Sequence, residues 1–247
     1  MFPIEVPASF RIIAHRGASG YAPENTAAAF DLARQMGAVE IETDVQLSAD
    51  GAVVLCHDHN LDRFGHPDRV VESSLLAELQ SLDLGSWFSP HLYAGARLLT
   101  LEELLERHGD AFVYHVELKG QAARLPAAAL EVIARHQLEG RVIFTSFDYQ
   151  HLARLRQLAP DSRLGWLVDQ VDGEVRDRAK EIGLLQLCPR AAEVTDEMVA
   201  RSRDVVSEVR AWGLGGSGRQ VADLVRHVLA AGCDGATINW PDWLTHV

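Results

Sequence analysis

The sequence predicts an α/β protein built as a single closed (β/α)8 barrel. The length of 247 residues is normal for one such barrel, and the apolar fraction of 47% is enough for a full core. Strand and helix patterns also alternate regularly through the second half of the chain. We count eight strands from Arg11 onward and treat residues 1–247 as one domain.

The net charge of the chain limits the classes of binding partner that we expect. The formal net charge is −12, whereas a nucleic-acid partner requires a basic surface. The same charge argues against electrostatic docking on an anionic membrane. No apolar run is long enough to span a bilayer, so we expect no membrane insertion. An anionic substrate is still compatible, because a cation and a few basic groups can be concentrated in one cleft.

The cysteines and the first residues favour the cytoplasm. Cys56, Cys188 and Cys233 form no Cys-x-x-Cys pair, and we expect them to be reduced thiols. The first residues, Met-Phe-Pro-Ile-Glu, carry no basic segment followed by an apolar run, so we predict no signal peptide. The oligomeric state cannot be derived from the sequence.

The first strand is predicted to end in a pair of basic side chains. An apolar run, Ile12 to Ala14, stops at His15 and Arg16, which indicates a buried strand that breaks into a loop. Asn25 or Thr26 then caps a helix. Chemistry in α/β folds takes place at the carboxyl ends of strands, which makes the pair a candidate site. A core histidine beside a surface arginine is the alternative.

The second strand carries a row of acidic side chains. Residues 39–47 alternate almost perfectly between two faces. One face carries Glu40, Glu42, Asp44 and Gln46, and the other carries Val39, Ile41, Val45 and Leu47. A solvated edge strand and a metal site are both consistent with this pattern. Asp-Gly at positions 50 and 51 then predicts a tight turn.

A third strand and an insertion are predicted next. Ala52–Cys56 is fully apolar and ends in His57. Residues from about 60 to 97 are too irregular for a barrel unit and too long for a plain loop, apart from a short helical pattern over Leu75–Leu82. We therefore expect a small inserted subdomain after the third strand, covering one mouth of the barrel.

The fourth strand repeats the polar alternation. Thr100 and Glu103 predict a helix that starts with a capping box. In the strand that follows, residues 112–119, His115, Glu117 and Lys119 share one face. Inside a parallel barrel both polar faces would be buried, and buried carboxylates need a cation or a base nearby.

The rest of the chain alternates regularly between helices and strands. The helices are predicted at about Ala122–His136, Tyr149–Leu158, Val171–Ile182, from the cap Thr195 to Val206, and Arg219–Ala231. The strands are predicted at Arg141–Thr145, Arg163–Val168, Leu184–Leu187, Glu208–Trp212 and Ala236–Asn239.

The polar groups at the strand ends suggest a common chemistry. Three carboxylates, with no thiolate, form a hard oxygen site suited to Mg²⁺ or Ca²⁺. Two histidines can act as a general acid–base pair, and two basic side chains with the cation can hold a phosphate. These candidates are Glu42, Asp44 and Glu117; His15 and His57; and Arg16 and Lys119.

With these motifs the sequence resembles the glycerophosphodiester phosphodiesterase family. The resemblance covers nearly the whole chain, and its first half is the more specific because several separated motifs occur in the right order. The matching pieces are His15-Arg16-Gly17, Pro23-Glu24-Asn25-Thr26, residues 41–45, Asp50-Gly51, His57-Asp58, Leu61-Asp62-Arg63, residues 82–88, Thr100-Leu101-Glu102-Glu103 and Val116-Glu117-Leu118-Lys119, with Ser146-Phe147, Trp212 and Gly235 with Pro241 as looser matches.

The resemblance implies a divalent-metal phosphodiesterase on a (β/α)8 barrel. The substrate would be a small-molecule glycerophosphodiester and the products glycerol 3-phosphate and an alcohol, with a cyclic phosphate intermediate. By position, His15 and His57 match the family's acid–base pair, and its metal ligands are matched by Glu42, Asp44 and Glu117. The family's phosphate clamp is matched by Arg16 and Lys119, and the tryptophan at its pocket mouth by Trp212.

The sequence departs from the family pattern at four places. They are Phe64-Gly65, Leu99, Gly213-Leu214-Gly215 and Asn239, and they affect the expected shape of the pocket around the leaving alcohol.

Two other functions stay open. One alternative is a phosphodiesterase of the same barrel acting on lysophospholipid or sphingolipid headgroups, which would need an apolar channel and membrane contact. The other is a barrel that binds metal without catalysis, since one fold hosts many functions.

Overall fold

Eight parallel strands close into a barrel with helices between them, which confirms the predicted fold class. The computed structural model describes residues 3–247. The strands of this part are β1 Ile4–Val6, β2 Arg11–His15, β3 Glu40–Leu47, β4 Val53–Leu55, β5 Asn60–Leu61, β6 His66–Val70, β7 Val113–Leu118, β8 Val142–Ser146, β9 Arg163–Val168, β10 Gln186–Pro189, β11 Glu208–Leu214, β12 Gly235–Ile238 and β13 Leu244–His246.

The barrel runs in the order β2, β3, β7, β8, β9, β10, β11 and β12, and β12 pairs with β2 to close it. The helices are α1 Ala27–Gln35, α2 Leu76–Gln80, α3 Leu101–His108, α4 Leu125–Arg135, α5 Tyr149–Leu158, α6 Gly173–Glu181, α7 Asp196–Ser202 and α8 Gly218–Ala230. Short 3-10 turns lie at Asp62–Phe64, Val71–Ser73, Gly109–Ala111, Glu139–Arg141, Ala191–Glu193 and Pro241–Trp243.

The predicted third barrel strand was wrong. Val53–Leu55 pairs antiparallel with β3, with Val45 opposite Leu55, and it does not belong to the barrel. The reason is the tight turn at Gly51, whose φ is +88°, because a parallel partner would need a much longer crossover connection. The segments predicted as strands from Arg11 onward therefore number nine, and the barrel uses eight of them.

The irregular segment follows the second barrel strand rather than the third. It contains the hairpin of β5 and β6 and the short helix α2. Its apolar side chains form a hydrophobic cluster of their own with those of β4, and this cluster includes Leu61, Phe64, Val71 and Leu79. That the segment acts as a subdomain over one mouth of the barrel stays a prediction.

The polar face of β3 is buried rather than solvated. All eight residues from Glu40 to Leu47 are buried, because β2 and β7 flank the strand on both sides. Val39, predicted as the first residue of the strand, lies outside it and is 62% exposed. The edge-strand alternative is therefore excluded, and the acidic row lies in the interior of the protein.

Local sequence signals set the helix starts. Thr26 is the N-cap of α1, and the capping box of Thr100 and Glu103 begins α3. Thr195 caps α7, as the sequence predicts. Between residues 3 and 247, no helix combines the length and the apolar character needed to cross a bilayer.

Candidate active site

The candidate site is a cavity of about 260 Å³ at the carboxyl ends of the barrel strands. Seven of the eight predicted site residues line this cavity: His15, Arg16, Glu42, His57, Glu117, Lys119 and Trp212. The eighth, Asp44, is fully buried and lies against the carboxylates of Glu42 and Glu117. Residues from distant parts of the chain are thus brought together as the motifs predict.

Three buried carboxylates form the acidic part of the site. Glu42, Asp44 and Glu117 each offer an oxygen, and these oxygens lie within 4.8 Å of one another. Glu42 Oε1 and Asp44 Oδ1 are buried without a hydrogen-bond partner. Burial and the neighbouring carboxylates raise the pKa of Glu42 well above its ordinary value and that of Glu117 to about 7. This oxygen-only set fits a hard divalent cation, which would supply the missing partner and offset the repulsion.

Asp44 is positioned by side chains from the loop before α1. Its Oδ2 accepts a hydrogen bond from Asn25 Nδ2 at 3.0 Å, and Thr43 Oγ1 donates to Asn25 Oδ1 at 2.8 Å. Burial raises the pKa of Asp44, whereas Arg16 and the other neighbouring groups lower it. Together the neighbouring groups outweigh burial, so the pKa of Asp44 lies below its ordinary value. Asn25 therefore helps to fix the orientation of a charged carboxylate.

Both predicted clamp cations are already paired with carboxylates. Arg16 Nη1 donates to Glu24 Oε1 at 2.8 Å, and Arg16 Nε lies 3.0 Å from Asp44 Oδ2. Lys119 Nζ donates to Glu117 Oε1 at 3.0 Å. These pairs orient the two cations at the cavity wall.

The two histidines have different partners. His15 Nδ1 lies 2.6 Å from the amide oxygen Oδ1 of Asn239, and burial followed by the charge of Arg16 lowers the pKa of His15 to about 4. His57 Nδ1 lies 2.6 Å from Asp58 Oδ1, and Arg63 holds the other oxygen of Asp58. His57 reaches the cavity from the antiparallel β4, not from a barrel strand.

Trp212 lies in the cavity wall, whereas His115 lies outside the cavity. The Trp212 indole donates to Val168 O at 3.0 Å and packs edge-on against Phe147, with 5.0 Å between ring centroids. Its ring therefore forms part of the cavity wall. His115, which shares a strand face with Glu117, is fully buried, hydrogen-bonds Glu40 at 2.8 Å and does not line the cavity.

Sequence reasoning missed Arg210 and the partner residues of the histidines. Arg210 lines the cavity and is only 2% exposed. The signal was present, because Glu208, Arg210 and Trp212 alternate along β11 and so share a face. Asn239 appeared only as a departure from the family pattern. No sequence signal pairs it with His15, 224 positions away.

Comparison with known proteins decides the family. Residues 15–243 match the family model described as the glycerophosphoryl diester phosphodiesterase family. The chain belongs to that family. This membership confirms the predicted enzyme class, with hydrolysis of glycerophosphodiesters as the family's activity.

Relatives support the membership along the whole chain. A glycerophosphodiester phosphodiesterase of Caldanaerobacter subterraneus is 32% identical over 240 residues, which cover 96% of each protein. One from Bacillus subtilis is 31% identical over 248 residues, covering 93% of this chain and 83% of that protein. Another B. subtilis relative is 42% identical over 151 residues, covering 60% of this chain and 62% of that protein.

Solved structures agree with the fold. A phosphodiesterase of Oleispira antarctica, in complex with the product sn-glycerol-3-phosphate, has a TM-score of 0.84 and 29% identity, with 94% of each chain covered. The structure of a glycerophosphoryl diester phosphodiesterase homologue from Silicibacter pomeroyi also has a TM-score of 0.84 and is 27% identical, with 97% of this chain and 93% of that chain covered. Both structures share the fold of this chain.

Proposed function

We propose that the chain hydrolyses glycerophosphodiesters to glycerol 3-phosphate and an alcohol, by a metal-dependent reaction with two histidines as general acid and base. One observation carries the proposal. Buried carboxylates with unpartnered oxygens share a cavity with two histidines and two basic side chains. The glycerol 3-phosphate found in the Oleispira antarctica phosphodiesterase supports the same product here.

A divalent ion, Mg²⁺ or Ca²⁺, would be held by Glu42, Asp44 and Glu117 and would supply Lewis acidity and positive charge at the phosphoryl group. Arg16 and Lys119 line the same cavity and would bind non-bridging phosphate oxygens. Trp212 would contact the substrate at the cavity wall. The ion pairs of Arg16 with Asp44 and of Lys119 with a carboxylate support this role, because they fix both basic side chains before substrate arrives.

The histidines would move the protons. One of His15 and His57 removes the proton of the glycerol 2-hydroxyl, whose oxygen attacks phosphorus, and the other protonates the departing alcohol oxygen. The bond from phosphorus to the alcohol breaks, which leaves a cyclic phosphate. Water then opens the ring with the two proton transfers reversed. The partners Asn239 and Asp58 hold the two rings in place for these steps.

We extend the proposal to the organisation and surroundings of the chain. Residues 1–247 would act as one domain, with residues about 60–97 as a subdomain beside the cavity. The donation from Arg63 to Glu24 and Asp58 supports this, since it ties that segment to the site. The partner would be a small molecule and not a nucleic acid. Three free, buried cysteines support a cytoplasmic location.

Turnover of glycerophosphocholine by chelator-treated protein tests the proposal. We expect no release of glycerol 3-phosphate until Mg²⁺ or Ca²⁺ is restored, and no restoration in Asp44→Asn. The matched control is Asp31→Asn, which removes a carboxylate paired with Arg107 outside the cavity and should keep turnover. Full turnover in the presence of chelator would contradict the metal role. Hydrolysis of lysophosphatidylcholine in place of glycerophosphocholine would support the headgroup alternative.

A further inference from the structure

A third basic side chain, Arg210, lines the cavity beside the predicted phosphate clamp. It lies on β11 two residues before Trp212, on the face that points into the barrel. Its side chain is among the largest that the core buries, with 2% of the residue exposed. An arginine is rarely buried to this extent unless a partner satisfies its charge.

Two of the three nitrogens of the Arg210 guanidinium have no such partner among residues 3–247. Its Nε and Nη2 atoms are buried without a hydrogen bond, and among residues 3–247 no carboxylate forms an ion pair with it within 4.0 Å. Its side chain interacts with the thiol of Cys188, and its positive charge also acts on Glu42 and His115. Arg16 and Lys119 differ in this respect, since each is paired with at least one carboxylate.

The missing partner must be an acceptor that enters the cavity. Guanidinium carries only donors, so neither a metal ion nor another cation can satisfy it. Its planar fork matches the oxygens of a phosphoryl group, which is an anion with several acceptors. The cavity wall that holds Arg210 also holds Arg16, Lys119 and both histidines. A phosphoryl group bound among those residues is therefore within the same small space of about 260 Å³.

We propose that Arg210 is a substrate-binding residue that donates to the phosphoryl group of the substrate and of the product glycerol 3-phosphate. This inference rests on the function proposed above and adds a third cation to the phosphate site. The competing explanation gives Arg210 only an electrostatic role, as a positive charge that offsets Glu42. The two explanations differ in what a substitution changes, which is phosphate affinity in the first case and metal affinity in the second.

Calorimetric titration of metal-loaded protein with glycerol 3-phosphate tests the proposal, with inorganic phosphate as a second probe. We expect Arg210→Met to bind both ligands about 10- to 100-fold more weakly than wild type, the loss typical of a charge-assisted hydrogen bond. Affinity for the metal alone should be unchanged. In glycerophosphocholine turnover, KM should rise more than kcat falls. Arg163→Met, which removes an arginine of β9 outside the cavity, should bind like wild type.

The outcomes that overturn the inference are distinct from failure of the proposed function. Wild-type affinity of Arg210→Met for both ligands, or a change in metal affinity as large as the change in phosphate affinity, would overturn it. If thermal unfolding shows that Arg210→Met does not fold, Arg210→Lys decides, with weaker phosphate binding and unchanged metal affinity expected. Wild-type protein that neither binds glycerol 3-phosphate nor hydrolyses glycerophosphocholine would overturn the proposed function itself.

Discussion

At the scale of single residues, the carboxylate next to His57 should set the rate of proton transfer. His57 Nδ1 lies 2.6 Å from Asp58 Oδ1, which orients the ring for proton transfer. Asp58→Asn keeps an acceptor but removes the charge. We expect kcat for glycerophosphocholine to fall about 10- to 100-fold, part of the full effect of a general acid or base. Asp62→Asn, an exposed neighbour, is the control. An unchanged kcat would contradict this role.

The meeting of the candidate residues in one cavity could be predicted from the sequence, but their hydrogen-bond partners could not. His15, Glu42 and Glu117 stand at strand ends in recognisable motifs, and the structure places them in one cavity. Asn239 lies at the other end of the chain from His15, so only the closure of the barrel brings the two together. Arg210 alternates with Trp212 along β11, but only its burial with two guanidinium nitrogens unbonded distinguishes it.

At the scale of elements, the packing of the β2 loop on α1 should depend on Gly17. Gly17 has a φ of +79°, and a Cβ there would lie 2.6 Å from the backbone carbon of Ala29. Gly37 has a similar φ of +82° but open space around it. We expect Gly17→Ala to lower the free energy of unfolding by about 1–3 kcal/mol more than Gly37→Ala, since overpacking adds to the common backbone strain.

Urea unfolding of the two alanine variants measures this difference. Because Gly17 follows His15 and Arg16 directly, the displacement needed to fit a methyl group should also reduce turnover in Gly17→Ala and leave it intact in Gly37→Ala. Equal losses of stability in both variants would show that backbone conformation alone matters, and that the close approach to Ala29 does not.

Helix starts are more predictable than strand direction. Thr26, Thr100 and Thr195 cap their helices as expected, because a cap is a local hydrogen bond between near neighbours. Val53–Leu55 was assigned to the barrel because a short apolar run looks the same in either strand direction. The turn at Gly51 carried the information that a hairpin forms there.

At the scale of the whole molecule, stability should decrease below neutral pH through His108. This residue is 5% exposed, packs against Phe30 and Phe112, and has no hydrogen bond at either ring nitrogen. Burial lowers the pKa of His108 below its ordinary value. The unfolded chain then binds the proton more readily, so stability is lost as the pH falls below about 6.5, by at most about 1.4 kcal/mol per pH unit.

Unfolding by urea at pH 7 and pH 5 tests this expectation. The decrease between the two pH values should be smaller in His108→Leu than in wild type, because the variant lacks the titrating group. His91→Leu, which replaces an exposed histidine, should keep the wild-type decrease. If His108→Leu shows the same decrease as wild type, other groups account for the acid sensitivity.

The alternation of strands and helices made the barrel predictable, whereas the separate two-stranded sheet of β1 and β13 could not be predicted. β1 and β13 pair in parallel over three residues each and bring the two ends of the described chain together. Segments of three residues carry no periodic signal, and their pairing follows from the closed barrel rather than from local sequence. The sequence also gives no periodic signal for the irregular segment after β4. Its separate apolar cluster is therefore seen only in the folded structure.

The most direct test of the central claim is glycerol 3-phosphate release from glycerophosphocholine by His57→Ala, measured beside wild type with the metal that restores turnover. We expect a loss of at least about 100-fold, with the rise in unfolding temperature on metal addition preserved. His91→Ala, which replaces an exposed histidine of the irregular segment, should keep full turnover. Wild-type turnover by His57→Ala would contradict the two-histidine mechanism and remove the central claim.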